Sequence, residues 1–216
     1  MRRHVLGMIG RVVVVFIGMG VFIYTFPEPW VRTMAPVVKV MTVSTFPYVT
    51  ELTVTAEGRS LQINGNITLG MTLRDGAALP SAPGTWTKGT GATLNLLILA
   101  AAVFAAPSVG WRSRLLGFPV MLAGVLLVGA YHLTVEIQES ALTFIGYQWL
   151  PSMPLAGTEE NLAIFKLMES RFRVLVWIKS FNDAGGALFL AIMAGLISHT
   201  ITGAFRTPPT GSPQNR

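Results

Sequence analysis

The sequence predicts a mainly α-helical membrane protein with four transmembrane helices, a small extracytoplasmic β-rich segment and an amphipathic helix. Three observations predict it. Hydrophobic residues make up 51% of the 216 positions and charged residues only 12%, with 22 glycines, which is membrane-protein composition. Residues 92–135 form two long apolar runs whose only charges, Arg112 and Arg114, sit in the joint between them. The basic residues are also segregated along the chain in the way a bilayer requires.

The first element is a short basic segment, residues 1–11, holding Arg2, Arg3, His4 and Arg11. Residues 12–27 follow as the first span. A positive start before an apolar run also fits a signal peptide. The exit Thr25-Phe26-Pro27-Glu28-Pro29-Trp30 has no small-x-small cleavage site, so an uncleaved anchor is expected. Arg11 is expected to snorkel to the headgroups and Trp30 to anchor the outer interface.

Residues 28–91 form the first extracytoplasmic segment. Pro27 and Pro29 end the first helix. Over residues 37–73 the period changes to two: Leu52 and Val54 alternate with Thr53 and Thr55, Leu61 and Ile63 with Gln62 and Asn64, and Ile67, Leu69, Met71 and Leu73 with polar or small residues. This is the strand pattern. Asn64-Gly65 between two such runs predicts a type I′ turn, and an antiparallel sheet of three or four strands is expected. So small a sheet needs its apolar face covered by the membrane surface, by the second outer segment or by a partner. Residues 74–91, with Asp75-Gly76 and Pro83-Gly84, read as a loop returning to the membrane. Trp86 and Lys88 suit the interface there. Asn66-Ile67-Thr68 matches a glycosylation acceptor, a tripeptide too common to carry a function.

Residues 92–109 and 115–135 are the second and third spans, each close to the roughly 20 apolar residues a membrane helix needs, and residues 110–114 are the turn between them. Residues 136–183 form the second extracytoplasmic segment. Glu136–Gln148 continues the third helix or bends along the surface, and Pro151 and Pro154 break it. Residues 159–180 read as an amphipathic helix, with Leu162, Phe165, Met168, Phe172, Leu175 and Val176 on one side and a Glu169–Arg173 pair on the other. Such a helix lies in the membrane interface or covers the sheet. Asp183 is the expected N-cap of the last span, residues 184–203. Small residues at Gly117, Gly124, Ala187, Ala191 and Gly195 offer thin faces for helix packing or for a partner.

Four spans put the termini and the turn on one side. That side, including the tail 204–216, holds Arg2, Arg3, Arg11, Arg112, Arg114, Arg206 and Arg216 and no acidic residue. The other side holds the remaining basic residues and all ten acidic ones. Both termini are therefore expected in the cytoplasm of a bacterium, with the chain in its inner membrane. The net charge of +6 comes from these scattered flanking residues rather than from a basic stripe, so nucleic acid is not an expected partner.

The chemistry-bearing residues are few. His132, Glu136 and Glu139 share one helix face near the outer boundary and are the one set able to bind a metal or shuttle protons. His4 and His199 fall on the opposite side. With no cysteine, a disulfide, a thiolate site and a cysteine nucleophile are excluded. Serine-hydrolase, Walker and zinc-protease motifs do not occur in the sequence. The spans carry few ionisable groups for an ion path. No cofactor is expected.

The layout is itself informative: a first span, a β-rich segment, a hairpin with Arg112 and Arg114, the stretch Asn95 to Glu139, an amphipathic helix and a last span with a basic tail. It resembles small membrane proteins associated with exosortase systems, which process and sort surface proteins in Gram-negative bacteria. The exosortase protease resembles a Cys/Arg/His peptidase, and a chain without cysteine carries none of those roles. The resemblance implies an accessory role in processing or assembling exported proteins or polysaccharide. The expected function is a non-catalytic scaffold presenting a small periplasmic domain to a membrane or periplasmic protein. The alternatives are a transporter or channel component, and a membrane enzyme using His132 with Glu136 or Glu139.

Overall fold

A computed structural model describes residues 2–105 and 111–204. It is 71% helical with one small sheet. The helices are α1 (Arg2–Thr25), α2 (Glu28–Thr45), α3 (Gly91–Ala105), α4 (Trp111–Phe144), α5 (Glu159–Phe181) and α6 (Ala187–Ala204), and the strands are β1 (Val49–Glu57), β2 (Ser60–Ile67) and β3 (Ala82–Gly89). Val5–Thr25, Gly117–Ser152 and Glu159–Ala194 are each long and apolar enough to cross a membrane, which puts the chain among membrane proteins. The apolar α3 is shorter, and the rest of the predicted second span lies outside the described residues.

Two hydrophobic cores are built on the long α4. Its first half packs with α1, α3 and α6 around Leu94, Ile98, Met121, Val125 and Ala191 to form a bundle. Its second half packs with α2, the sheet and α5 around Met34, Phe46, Leu61, Ile63, Ile137 and Met168 to form a head. Trp30 touches both cores, with its indole N–H buried and unpartnered, and so joins the two.

α2 lies where the sequence pattern predicted the start of the strands. Pro29 stands at a helix N-terminus, where a missing N–H costs nothing, and Glu28 complements the dipole. Val31, Met34, Ala35, Val38 and Thr42 then recur at helical spacing and are all buried. Tertiary packing of that stripe overrides the strand preference of its many Val and Thr residues.

The sheet has three antiparallel strands in the order β1-β2-β3. Asn64-Gly65 is not its turn: both residues sit within β2, paired with Thr53 and Thr85 (Asn64) and with Gly84 (Gly65). Gly65 is there because its inner face is full: a Cβ would lie 2.8 Å from Val49 Cγ1 and 3.2 Å from Leu52 Cδ1. The actual hairpin turn is Gly58-Arg59, with Gly58 at φ +58°, as type II′ turns require at that position. The third strand is β3, within the predicted loop. Pro83 is tolerated because β3 is an edge strand. Residues 68–79 leave the ladder, yet Leu69, Met71 and Leu79 are buried in the head.

The apolar face of the sheet rests on α2 and α4. Trp86 lies on this face across Gly84, packed against the head core. α5 covers neither the sheet nor only a surface: it packs on α4 through Met168 and Leu175. Its N-cap is Thr158, whose hydroxyl accepts from Asn161 N–H.

Two further boundaries differ from expectation. Residues 111–114 are helical and belong to α4, so Arg112 and Arg114 stand in a helix rather than in a turn. Asp183 makes no side-chain cap: α5 passes into α6 through a kink at Asn182–Gly186, where Gly185 leaves helical geometry at φ +104°. Asp183 instead accepts a bond from Lys179 at 3.0 Å. The third helix does continue past Glu136, to Phe144, and ends through a π turn before Pro151.

Candidate functional site

Where bundle meets head, α4 carries His132 and Glu136 one turn apart. Their Nε2 and Oε1 atoms are 3.3 Å apart. The His132 side chain is only 10% exposed, and its Nδ1 has no partner. Thr134, also buried, has an unpartnered hydroxyl. Glu139 does not join the pair. No set of three His, Cys, Asp or Glu able to hold a metal occurs among the described residues.

Two lysines complete the site, and sequence spacing gave no sign of either. Lys88, at the end of β3, donates to Ser140 Oγ at 2.7 Å. Lys179, on α5, pairs with Asp183. Both act on the Glu136 carboxylate, and Lys179 also feels Glu139. The charges are drawn from a strand, α4 and α5, so the junction is a mixed polar layer, not a single helix face.

Asn182 is the other residue the sequence did not reveal. It is buried, and neither of its amide atoms has a partner. α4 and α5–α6 run antiparallel: Gly146 and Met168 line one groove, and a Cβ on Gly124 would lie 3.0 Å from that of Ala194. Interpolating between these two contacts sets Asn182 level with His132 and Thr134. Orphaned buried polar atoms mark sites where water or a small polar group binds. The only forewarning in the sequence is an Asn-Asp-Ala-Gly-Gly run inside an otherwise continuous helix.

Of the small residues singled out for packing, Gly117, Ala187 and Ala191 are buried and Gly124 meets α6 at Ala194. The surroundings of Gly195 lie outside the described residues, as do the side chains of Arg2, Arg3, Arg112, Arg114 and Arg206. Arg11 is half-buried on α1.

The groove lined by Gly146 and Met168, of about 250 Å³, opens on the head between the end of α4 and α5. Its walls are Leu142, Tyr147, Phe165, Met168 and Phe172, with Glu169 at the rim bonded to Arg173 at 2.6 Å. Tyr147 is 73% exposed and Phe165 44%.

Fold and site together define a helical membrane protein with a small α/β head mounted on an extension of its bundle. Comparison with protein-family models, curated proteins and solved structures finds no match.

Proposed function

We propose that this chain is a non-catalytic accessory or scaffold subunit of a bacterial inner membrane, holding its head on the outer side for a protein partner. In this reading it has four spans. The fourth is the apolar run 92–109, of which α3 is the described part. Both termini are cytoplasmic, because Arg2, Arg3, Arg11, Arg112, Arg114 and Arg206 all flank spans on one side.

One observation carries the reading. The apolar face of the sheet is filled from within the chain, yet Leu162, Phe165, Leu167 and Val174 on α5 remain 44–56% exposed beside the groove. At 1.5 Å per residue, Phe165 lies about 25 Å beyond the His132–Asn182 level. With the outer boundary near that level, as spans ending at 135 and starting at 184 imply, the bilayer does not reach it. Apolar surface held so far from lipid marks a protein contact. The layout's resemblance to exosortase-associated proteins extends the proposal to processing or assembly of exported proteins or polysaccharide. A photo-crosslinker at Phe165 in native membranes should trap a second, different protein. Recovery of the uncrosslinked chain alone would refute the scaffold role.

The polar layer favours a second reading, a transporter or channel component, since His132, Thr134 and Asn182 carry unsatisfied polar atoms inside the packed helices. Solute flux into liposomes containing only this chain, abolished by Asn182→Leu, would support it over the scaffold.

A further inference from the structure

The face of the sheet turned away from the core is polar. Its side chains are hydroxyls and amides with few charges: Thr53, Thr55, Gln62, Asn64, Asn66, Thr85 and Thr87, beside Glu51 and Glu57. On it lies a concavity of about 230 Å³. One wall is the cross-strand row Thr53–Asn64–Thr85, the other is Glu51, Asn66 and Pro83, and the floor is the paired backbone of Gly65 and Gly84.

Glu51 is the unusual member. Its φ is +52°, and among the described residues every other positive φ belongs to glycine. The strain comes from a bulge: the β1–β2 register shifts between Thr50 and Thr53, because Val49 and Leu52 both turn inward. Bulges re-aim a side chain, and strain of this kind clusters at ligand sites. Here the Glu51 carboxylate is laid across the face, where Asn66 Nδ2 donates to its Oε2 at 2.6 Å. That leaves Glu51 Oε1 and the side-chain Oδ1 of Asn66 as acceptors, the Asn66 backbone C=O being taken by Thr50 Oγ1. The Asn64 amide and Thr85 hydroxyl make no side-chain hydrogen bond among the described residues.

We infer that this concavity, formed by Glu51, Asn64, Asn66 and Thr85 over the Gly65–Gly84 floor, binds a neutral polyhydroxylated ligand, a sugar unit of an extracellular or nascent glycan. A carboxylate beside amides matches neighbouring hydroxyls, which both donate and accept. The other macromolecular classes fit less well. A protein contact would place aromatic, Met or Arg side chains at its centre, and this one has none. A nucleic acid would require basic groups, and the charged residue here is acidic. The cavity is smaller than the roughly 300–1,000 Å³ of drug-sized sites, so it holds one ring of a chain. Asn66 is six residues up β2 from the hairpin turn, about 20 Å along the strand, and this lifts the site clear of that end of the sheet.

Saturation-transfer NMR on the full chain in detergent, with maltotriose and with the trimer of N-acetylglucosamine, tests this. Saturation is expected to reach the ring protons of at least one sugar. Glu51→Gly and Asn64→Ala should each weaken that binding fivefold or more. Glycine tolerates φ +52°, so Glu51→Gly should keep or raise Tm while binding is lost, which a merely structural Glu51 would not do. Absence of transfer from the folded wild type to either sugar would overturn the proposal. So would unchanged binding by Glu51→Gly, or a crosslinker at Thr85 that traps a protein in native membranes.

Discussion

Asn161 clamps the backbone of Thr72. Its Oδ1 accepts from Thr72 N–H at 3.0 Å and its Nδ2 donates to Thr72 C=O at 2.8 Å. The same amide donates to Ala156 C=O at 2.8 Å. One side chain at the start of α5 therefore ties the loop after β2 to the second half of the chain. Beside it, Arg74 N–H donates to Pro154 C=O and Ala156 N–H to Thr72 C=O.

Replacing Asn161 by Ala should cost about 2–3 kcal/mol, because buried peptide groups lose their partners. Asn161→Asp should be nearly as harmful, since it lacks the two donors. Thermal unfolding followed by circular dichroism in detergent checks both. A Tm unchanged in both variants would mean the clamp is not formed.

The α4–α6 contact is set by size. A Cβ at Gly124 would stand 3.0 Å from Ala194 Cβ. Gly124→Ala should be tolerated with a small loss, whereas Gly124→Leu forces the helices apart and should cost about 1–3 kcal/mol or more. Comparing the two by thermal stability separates packing from helix propensity, which favours both substitutions over glycine.

Gly84 faces the Trp86 indole, which a Cβ would approach to 2.2 Å. Gly84→Ala should displace that ring and destabilise the head while leaving the bundle intact. The expected signature is a change in tryptophan fluorescence without loss of helical signal. Full loss of helicity would show instead that head and bundle unfold together.

His132 and Glu136 lack a third ligand among the described residues. Zinc or manganese should therefore leave Tm where it is. A tight site at a hundredfold excess of metal would add about 2.7 kcal/mol, so a clear rise that His132→Ala removes would restore the metal reading.

The helical elements were legible where the apolar pattern was long. α5 runs 159–181 against a predicted 159–180, and Glu169–Arg173 pairs as its spacing required. The misreadings have physical causes. α2 was hidden by β-branched residues whose stripe Val31–Met34–Val38–Thr42 only tertiary packing makes decisive. β3 was hidden by Pro83 and Gly84, allowed respectively by an edge and by an indole lying where a side chain would go. Asn64-Gly65 has the chemistry of a turn, but crowding by Val49 and Leu52 requires the glycine in mid-strand. For the site, only the His132–Glu136 step was readable on one helix. Lys88, Lys179 and Asn182 come from other elements, and no spacing along the chain brings them there.

The chain has no cysteine, so single cysteines at Gly70 and Gly157 can report the side of the membrane directly. Both residues are exposed on the head, and neither glycine has a positive φ or a neighbour that a side chain would strike. Labelling of both in intact spheroplasts by a membrane-impermeant maleimide, without detergent, is the predicted result. Labelling only after the membrane is opened would contradict a head presented outside the cell, and the scaffold role with it.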